Sequence, residues 1–212
     1  MGRKEIEMRP EIHKKKQRKY FNEQAENWDQ KVFHDPTKLK KIIKELALKP
    51  GDKVLDVGAG TGIMLKPIFQ KVTELGKIVA IDISKNMIAI AKKKHPPAQY
   101  PNIDFITGDV EEYGFEEKFD AILCYSCFPH FHNKGRLIQV LAAILEPQGK
   151  VMIAHSQSRK AINNLHKEKD HIVKHDKLPT MNTISEMLRN ADLRVHKSED
   201  TEEIFFVVGK KG

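Results

Sequence analysis

The sequence predicts a doubly wound α/β domain, and three observations carry that prediction. Short apolar, β-rich runs alternate along the chain with stretches whose apolar residues recur at helical spacing. Each short run is apolar throughout rather than in alternation, as in strands covered on both faces of a parallel sheet. The first run, KVLDV, opens directly into GAGTG, three glycines two residues apart. Backbone freedom at the end of a buried strand marks the turn where such sheets bind their ligands.

The elements follow in order. In DPTKLKKIIKELALKPGD, residues Leu39, Ile42, Ile43 and Leu46 fall on one helical stripe, and Pro50-Gly51 ends it. KVLDV is the first strand. IMLKPIFQKV reads as a helix in which Pro67 is tolerated only near the first turn, where amide hydrogens lack partners. GKIVAID is a second buried strand ending at Asp82. Ser84 is the expected N-cap of KNMIAIAKKK, and Pro96-Pro97 stops that helix. NIDFITGDV and KFDAILCYS supply the third and fourth strands. Leu137, Val140, Leu141, Ile144 and Leu145 form an amphipathic helix closed by EPQG, and KVMIAHS is a fifth strand. Basic helices follow, and LRVHKSEDTEEIFFVVGKK reads as a closing pair of strands, which makes seven in all.

Composition narrows the class. Apolar residues make up 40% and charged residues 31% of the 212 positions, as in a globular domain with a buried core. No apolar run reaches the ~18 residues of a membrane helix. The N-terminus lacks the apolar stretch of a signal peptide, and the two cysteines, Cys124 and Cys127, suit a reducing compartment, so a cytoplasmic location is expected. The formal charge is +8, of which residues 1–20 contribute +5: eight Lys/Arg against three Glu. We therefore divide the chain into a basic N-terminal arm and lid helix, 1–36, and a ligand-binding domain, 37–212. Charge alone invites a nucleic-acid partner, but the single Trp stands apart from any stacking platform.

Spacing then selects the ligand. Dinucleotide sites use G-x-G-x-x-G, with a pyrophosphate on a helix N-terminus. Here the last interval is one residue short, and the acid Asp56 precedes the glycines. An anion is a poor guest beside that carboxylate. A ligand with an ammonium group and a ribose but no phosphate is a good one, and Asp82, 20 residues beyond Gly62, is placed to accept from a ribose diol. S-adenosylmethionine has that chemistry.

VLDVGAGTG, Asp82 and TGDVEEYGF resemble the successive ligand-binding motifs of the class I S-adenosylmethionine-dependent methyltransferases, over roughly residues 20–155. The resemblance implies a Rossmann-like sheet, mostly parallel with an antiparallel last strand. It implies that Asp56, Gly58 and Gly60 line the methionine part of the donor and that Asp82 holds the ribose hydroxyls. Ile83 and Met87 would lie near the adenine, with Asp109 accepting from its amine beside the Val110 amide. Ala59, Gly62, Gly108 and Tyr125 complete the expected donor site. The plain readings stand beside these: glycines serving a tight turn, Asp82 capping its helix, Asp109 as a turn acid. YFNEQAENWDQ is similar to the stretch that opens methyltransferases related to ubiquinone and menaquinone C-methylation, where it forms a helical cover. Tyr20 and Trp28 are the residues expected to close over the donor, and Phe21 and Ala25 to pack.

The acceptor is expected after the fourth and fifth strands. CYSCFP is neither the D/N-P-P-Y/F stretch of amino-methylating nucleic-acid enzymes nor the Pro-Cys of base C5-methylating ones. A small-molecule methyl acceptor is therefore expected, with nucleic acid behind it. Three residues apart on one strand, Cys124 and Cys127 would face opposite ways, which favours core packing over a redox or metal pair. His130 and His155 are the expected catalytic residues, as base or acceptor clamp, with Arg159 and Lys160 either neutralising an anionic acceptor or lying at the surface. His166, His171 and His175 read as one helix, on which the last two have a metal-binding spacing, or as a solvated charged face. No metal is assigned. Two other readings stay open: the same fold acting on RNA or protein through its basic segments, and a non-catalytic metal- or cofactor-binding protein.

Overall fold

The computed structural model describes residues 10–167 and 172–212. Helix α1 (Pro10–Gln24) leads through a 3-10 turn (Ala25–Asn27) into the short α2 (Trp28–Lys31). The core then alternates: α3 (Pro36–Leu46), β1 (Lys53–Val57), α4 (Leu65–Val72), β2 (Lys77–Asp82), α5 (Lys85–Lys94), β3 (Ile103–Thr107), β4 (Phe119–Tyr125), α6 (Lys134–Ala143) and β5 (Leu145–His155). Beyond it come α7 (Arg159–Lys167), α8 (Met181–Arg189), β6 (Leu193–Asp200) and β7 (Phe205–Lys211).

The strands form one seven-stranded sheet of order β3-β2-β1-β4-β5-β7-β6. The first five run parallel, and β7 inserts antiparallel between β5 and β6. Because side chains alternate across a strand, each strand feeds two cores. Leu55, Val57, Val79, Ile81, Ile122, Ile153 and Val207 face one side and pack with Leu137, Leu141, Ile184 and Leu188 of α6 and α8. Val54, Ile78, Ala80, Leu123, Met152 and Val208 face the other and pack with Ile42, Ile43, Leu46, Leu65 and Ile68 of α3 and α4. This is the doubly wound arrangement, and it explains why the strands lack alternation.

Local signals behave as expected at most boundaries. Asp35 accepts from the Thr37 amide at 2.8 Å with Pro36 in the first helical position, and α3 ends on Ala47 at φ 52°. Pro67 sits in the first turn of α4. Ser84 caps α5 through the Met87 amide. One boundary differs. The amphipathic run 137–145 stops as a helix at Ala143, and Leu145 already pairs with Phe119 as the first residue of β5. The EPQG stretch is thus part of the strand, folded into an irregularity where the β4–β5 register shifts between Phe119 and Ala121. Gly149 permits it: a Cβ there would lie 2.8 Å from the Glu146 carbonyl oxygen.

The N-terminal cover is longer than expected. Most of the basic stretch belongs to α1, which lies over the carboxyl ends of the parallel strands. Asn22 Oδ1 accepts from Ser84 Oγ at 2.8 Å, and the Asn22 carbonyl accepts from Asn86 Nδ2 at 2.9 Å. Asp29 accepts from Thr61 Oγ1 at 2.6 Å and pairs with Lys94 at 2.8 Å. Residues 1–9 lie outside the described residues.

Ser84 therefore serves α5 and the cover at once. Ser84→Ala should cost about 1–2 kcal/mol. Thermal melts should show a fall in Tm of about 2–8 °C, with deuterium uptake rising in α1 as well as α5.

Candidate active site

The first strand-to-helix turn is built around backbone conformations that favour glycine. Gly58, Gly60 and Gly62 have φ of 64°, 56° and 86°. At Gly58 space is also lacking, since a Cβ would meet Cys127 Cβ at 2.5 Å. The turn is clasped to β2: the Ala59 amide donates to the Ile81 carbonyl at 3.1 Å, and the Gly60 amide to Asp82 Oδ2 at 2.9 Å. Asp82 Oδ1 accepts from the Ser84 amide at 2.8 Å. Gly62 departs from the expected set. It backs onto Leu65 and His95 instead of lining the cavity, so its role is close packing of the turn.

Two carboxyl groups end up side by side at the strand ends, Asp56 buried and Asp82 half-buried. Asp56 is 2% exposed, and its Oδ2 has no hydrogen-bond partner. Burial, reinforced by the nearby Asp82 charge, pushes its carboxyl up to about 8. Asp82 is also raised by burial, with the Ser84 and Gly60 amides pulling against the rise. In the unliganded protein, Asp56 is thus largely protonated at neutral pH.

After β3, Gly108, Asp109 and Val110 reach the same cavity. Both oxygens of Asp109 are engaged. Oδ1 accepts from the Glu111 amide at 2.9 Å, and Oδ2 receives Lys14 Nζ of α1 at 2.6 Å. Lys14 also lies 3.2 Å from Glu111. Burial works against its charge, but Asp109 and Glu111 outweigh it and hold the ammonium above its ordinary range.

The cavity, of about 210 Å³, runs between these strand ends and the N-terminal cover. Asp56, Gly58, Ala59, Gly60, Asp82, Ile83, Met87, Gly108, Asp109, Val110 and Tyr125 all line it, as do Tyr20 and Trp28 from the cover. Ala25 is buried as expected, but Phe21 does more than pack. Its ring lines the cavity at 5.3 Å from Tyr20, 5.8 Å from Trp28 and 5.1 Å from His130.

The far end is polar and rich in histidine. His34 Nδ1 lies 2.7 Å from the Tyr125 hydroxyl, which donates to Ser156 Oγ at 2.8 Å. Burial lowers the His34 pKa. His155 is 1% exposed, lines the cavity, and has no partner for either ring nitrogen. Burial, with His130 and His166 nearby, holds its pKa down at about 3, so it is a neutral imidazole at pH 7. His130 lines the cavity with Nδ1 2.7 Å from Asp176 Oδ2.

Of the two readings of Arg159 and Lys160, the surface one fits: Arg159 pairs with Asp200 at 3.9 Å, Lys160 is exposed, and neither lines the cavity. The histidines after position 165 do not share one helix, because α7 ends at Lys167 and His175 sits in a turn. His171 lies outside the described residues. Among the described residues, no three His, Cys, Asp or Glu side chains are grouped to hold a metal ion. The chain does turn between Cys124 and Cys127, at Ser126 with φ 55°, so both thiols are buried together, and Cys127 donates to the Val57 carbonyl at 3.0 Å. Lys14, Gln17, His34, Ser156 and Asp176 were not anticipated. Each meets its partner through long-range contacts that leave no local pattern.

Comparison with known proteins gives consistent results. A family model described as a methyltransferase domain matches residues 48–204. A malonyl-[acyl-carrier protein] O-methyltransferase of Ilyobacter polytropus is 29% identical over 205 residues, 92% of this chain and 72% of that protein. A ubiquinone biosynthesis O-methyltransferase of Coxiella burnetii is 32% identical over 143 residues, 63% of this chain and 58% of that protein. Among solved structures, a SAM-dependent methyltransferase of Aquifex aeolicus superposes with a TM-score of 0.68 at 23% identity, covering 84% of this chain and 94% of that one. The magnesium protoporphyrin IX methyltransferase of Synechocystis, solved with bound SAM, gives 0.71 at 18% identity over 94% and 97%. These structural likenesses show the fold.

The raised Asp56 pKa has a signed consequence for stability. The folded state holds this proton more tightly than the unfolded chain does, so the contribution is present below about pH 4 and lost as pH rises towards 8. Asp56→Asn should match the parent's stability in acid and exceed it by roughly a few kcal/mol at pH 8–9. Urea titrations of the unliganded protein across this range check it.

Proposed function

The chain belongs to the class I S-adenosylmethionine-dependent methyltransferases, and from that premise we propose that it transfers the donor's methyl group to a small-molecule acceptor held at the His130–His155 end of the cavity. The observation that carries this reading is the pair of neighbouring carboxyls, Asp56 buried with an unpartnered oxygen and Asp82 clasped by the glycine turn. An unmet acceptor atom beside a Cβ-free turn fits the ammonium of the donor's methionine part. Asp82 keeps lone pairs free for a ribose diol after its two amide bonds. Gly58, Ala59 and Gly60 let the ligand touch main chain, Ile83, Met87 and Val110 offer apolar contact for the adenine, and Asp109 faces its amine. S-adenosylmethionine, when bound, supplies a methyl group already activated on a sulfonium.

The protein's work is then positioning and exclusion of water. Tyr20, Phe21 and Trp28 cover the donor from α1 and α2. Tyr125 and Ser156 hold one wall, and the neutral His155 offers one donor and one acceptor to the methyl acceptor. The relatives named for malonyl-acyl carrier protein and ubiquinone precursors act on small or carrier-linked acceptors. The polar, histidine-lined far end of this cavity supports an acceptor of that kind. No helix among the described residues is long and apolar enough to cross a membrane, and the two free buried cysteines support a cytoplasmic reading.

Calorimetry with S-adenosylhomocysteine tests the donor site. Binding is expected in the micromolar range, and Asp82→Ala should weaken it at least tenfold; absence of binding to the parent protein would refute the proposal. Because the ligand's ammonium favours ionised Asp56, binding below pH 8 should release a proton. Affinity should therefore climb by up to about tenfold per pH unit from pH 6 towards 8 and level off above. The same titration in buffers of different ionisation enthalpy counts the proton released.

A further inference from the structure

His130 stands in the 3-10 turn after β4 (Phe128–His130), and its Nδ1 is 2.7 Å from Asp176 Oδ2. Asp176 is 7% exposed and lies outside the cavity lining. Two lid residues of α1 meet the same group. Gln17 Nε2 donates to Asp176 Oδ2 at 3.2 Å and to the His130 carbonyl at 2.8 Å, while His13 Nε2 lies 3.7 Å from Oδ1. The His130 ring is bounded by Phe21 at 5.1 Å and His166 at 5.0 Å. A carboxylate only accepts, so the ring proton of neutral His130 belongs on Nδ1, and Nε2 carries the lone pair.

We propose that Asp176 is a positioning residue for methyl transfer: it fixes the His130 tautomer so that Nε2 takes the acceptor's proton, and Gln17 ties this arrangement to the seated lid helix. The proposal rests on the methyltransferase reading. The acceptor atom forms its bond to the methyl carbon as the carbon–sulfur bond breaks, with that electron pair returning to sulfur as a neutral thioether. The acceptor's proton passes to Nε2, leaving an imidazolium that keeps its other N–H on Asp176. Charge balances, since one cation, the sulfonium, is consumed and one, the imidazolium, is formed. The acceptor is therefore a molecule whose reacting atom still bears a proton. The other titratable groups facing the pair are His13 from α1, His166 from α7, His155 at the end of β5 and Asp82 at the end of β2, with Lys134 of α6 acting on Asp176 through space.

The test is long-range proton–nitrogen NMR on the full chain, labelled at histidine and saturated with S-adenosylhomocysteine. Wild type should carry its His130 proton on Nδ1. Asp176→Leu should move it to Nε2 in at least half the molecules and raise deuterium exchange of amides in 11–24 at least tenfold. Its affinity for S-adenosylhomocysteine should stay within about threefold, and Asp176→Glu should restore the Nδ1 proton. An Nε2 proton in the wild-type complex overturns the proposal without any variant having to fold, as does a tautomer indifferent to Asp176→Leu. If the wild type fails to bind S-adenosylhomocysteine, the methyltransferase reading falls and takes this one with it; binding with the wrong tautomer overturns the pair alone.

Discussion

Placing Asp56 and Asp82 side by side at the carboxyl ends of adjacent parallel strands, with Asp56 buried, is the constraint from which the rest of the site follows. Parallel strands bring their ends to one edge, so β1 and β2 deliver both acids to the same place whether or not the acids are comfortable there. Two neighbouring carboxyls out of water resist ionisation, which leaves Asp56 protonated until a cation arrives. The glycine turn answers part of the problem by turning the Gly60 amide onto Asp82. What it leaves unanswered is Asp56 Oδ2, buried without a partner on a residue that lines the cavity. The site thus sets an unmet acceptor beside a second carboxyl, an arrangement complementary to positive charge.

The cover belongs to the same arrangement. Helix α1 touches one end of the cavity through Lys14 on Asp109, the first turn of α5 through Asn22, and the other end through Gln17 on His130 and Asp176. One helix therefore contacts both ends of the cavity. Short loops could not span that distance with fixed side chains, whereas a helix of 15 residues does so at about 1.5 Å per residue.

What the sequence makes legible is what contiguous chain enforces. The doubly wound sheet follows from the alternation of uniformly apolar runs, and Asp56, Gly58, Gly60 and Asp82 are found because a positive φ and a strand end leave marks within a few residues. Ser84 is found because its cap is local. Gly62 was placed in the site because it shares a motif with its neighbours, while its actual contact, His95, lies on another element. The start of β5 is hidden because Ile144 and Leu145 continue a helical period, and only pairing with β4 overrides it. Lys14, Gln17 and Asp176 were invisible for a different reason. Gln17 meets Asp176 across 159 residues, and His34 meets Tyr125 across 91. Neither pair has a spacing rule, because the sheet and not the sequence brings them together.

Cys127 lines the cavity beside Gly58, and a thiolate in that position would be a strong nucleophile. A hydrogen bond with the Cys124 thiol, followed by burial and the charges of Asp56 and Asp82, pushes its pKa well above the ordinary range. The sulfur consequently stays a thiol, with its hydrogen directed to the Val57 carbonyl. The fold thereby keeps this cavity-lining sulfur out of its nucleophilic form, so an electrophile admitted to the cavity meets a thiol and not a thiolate.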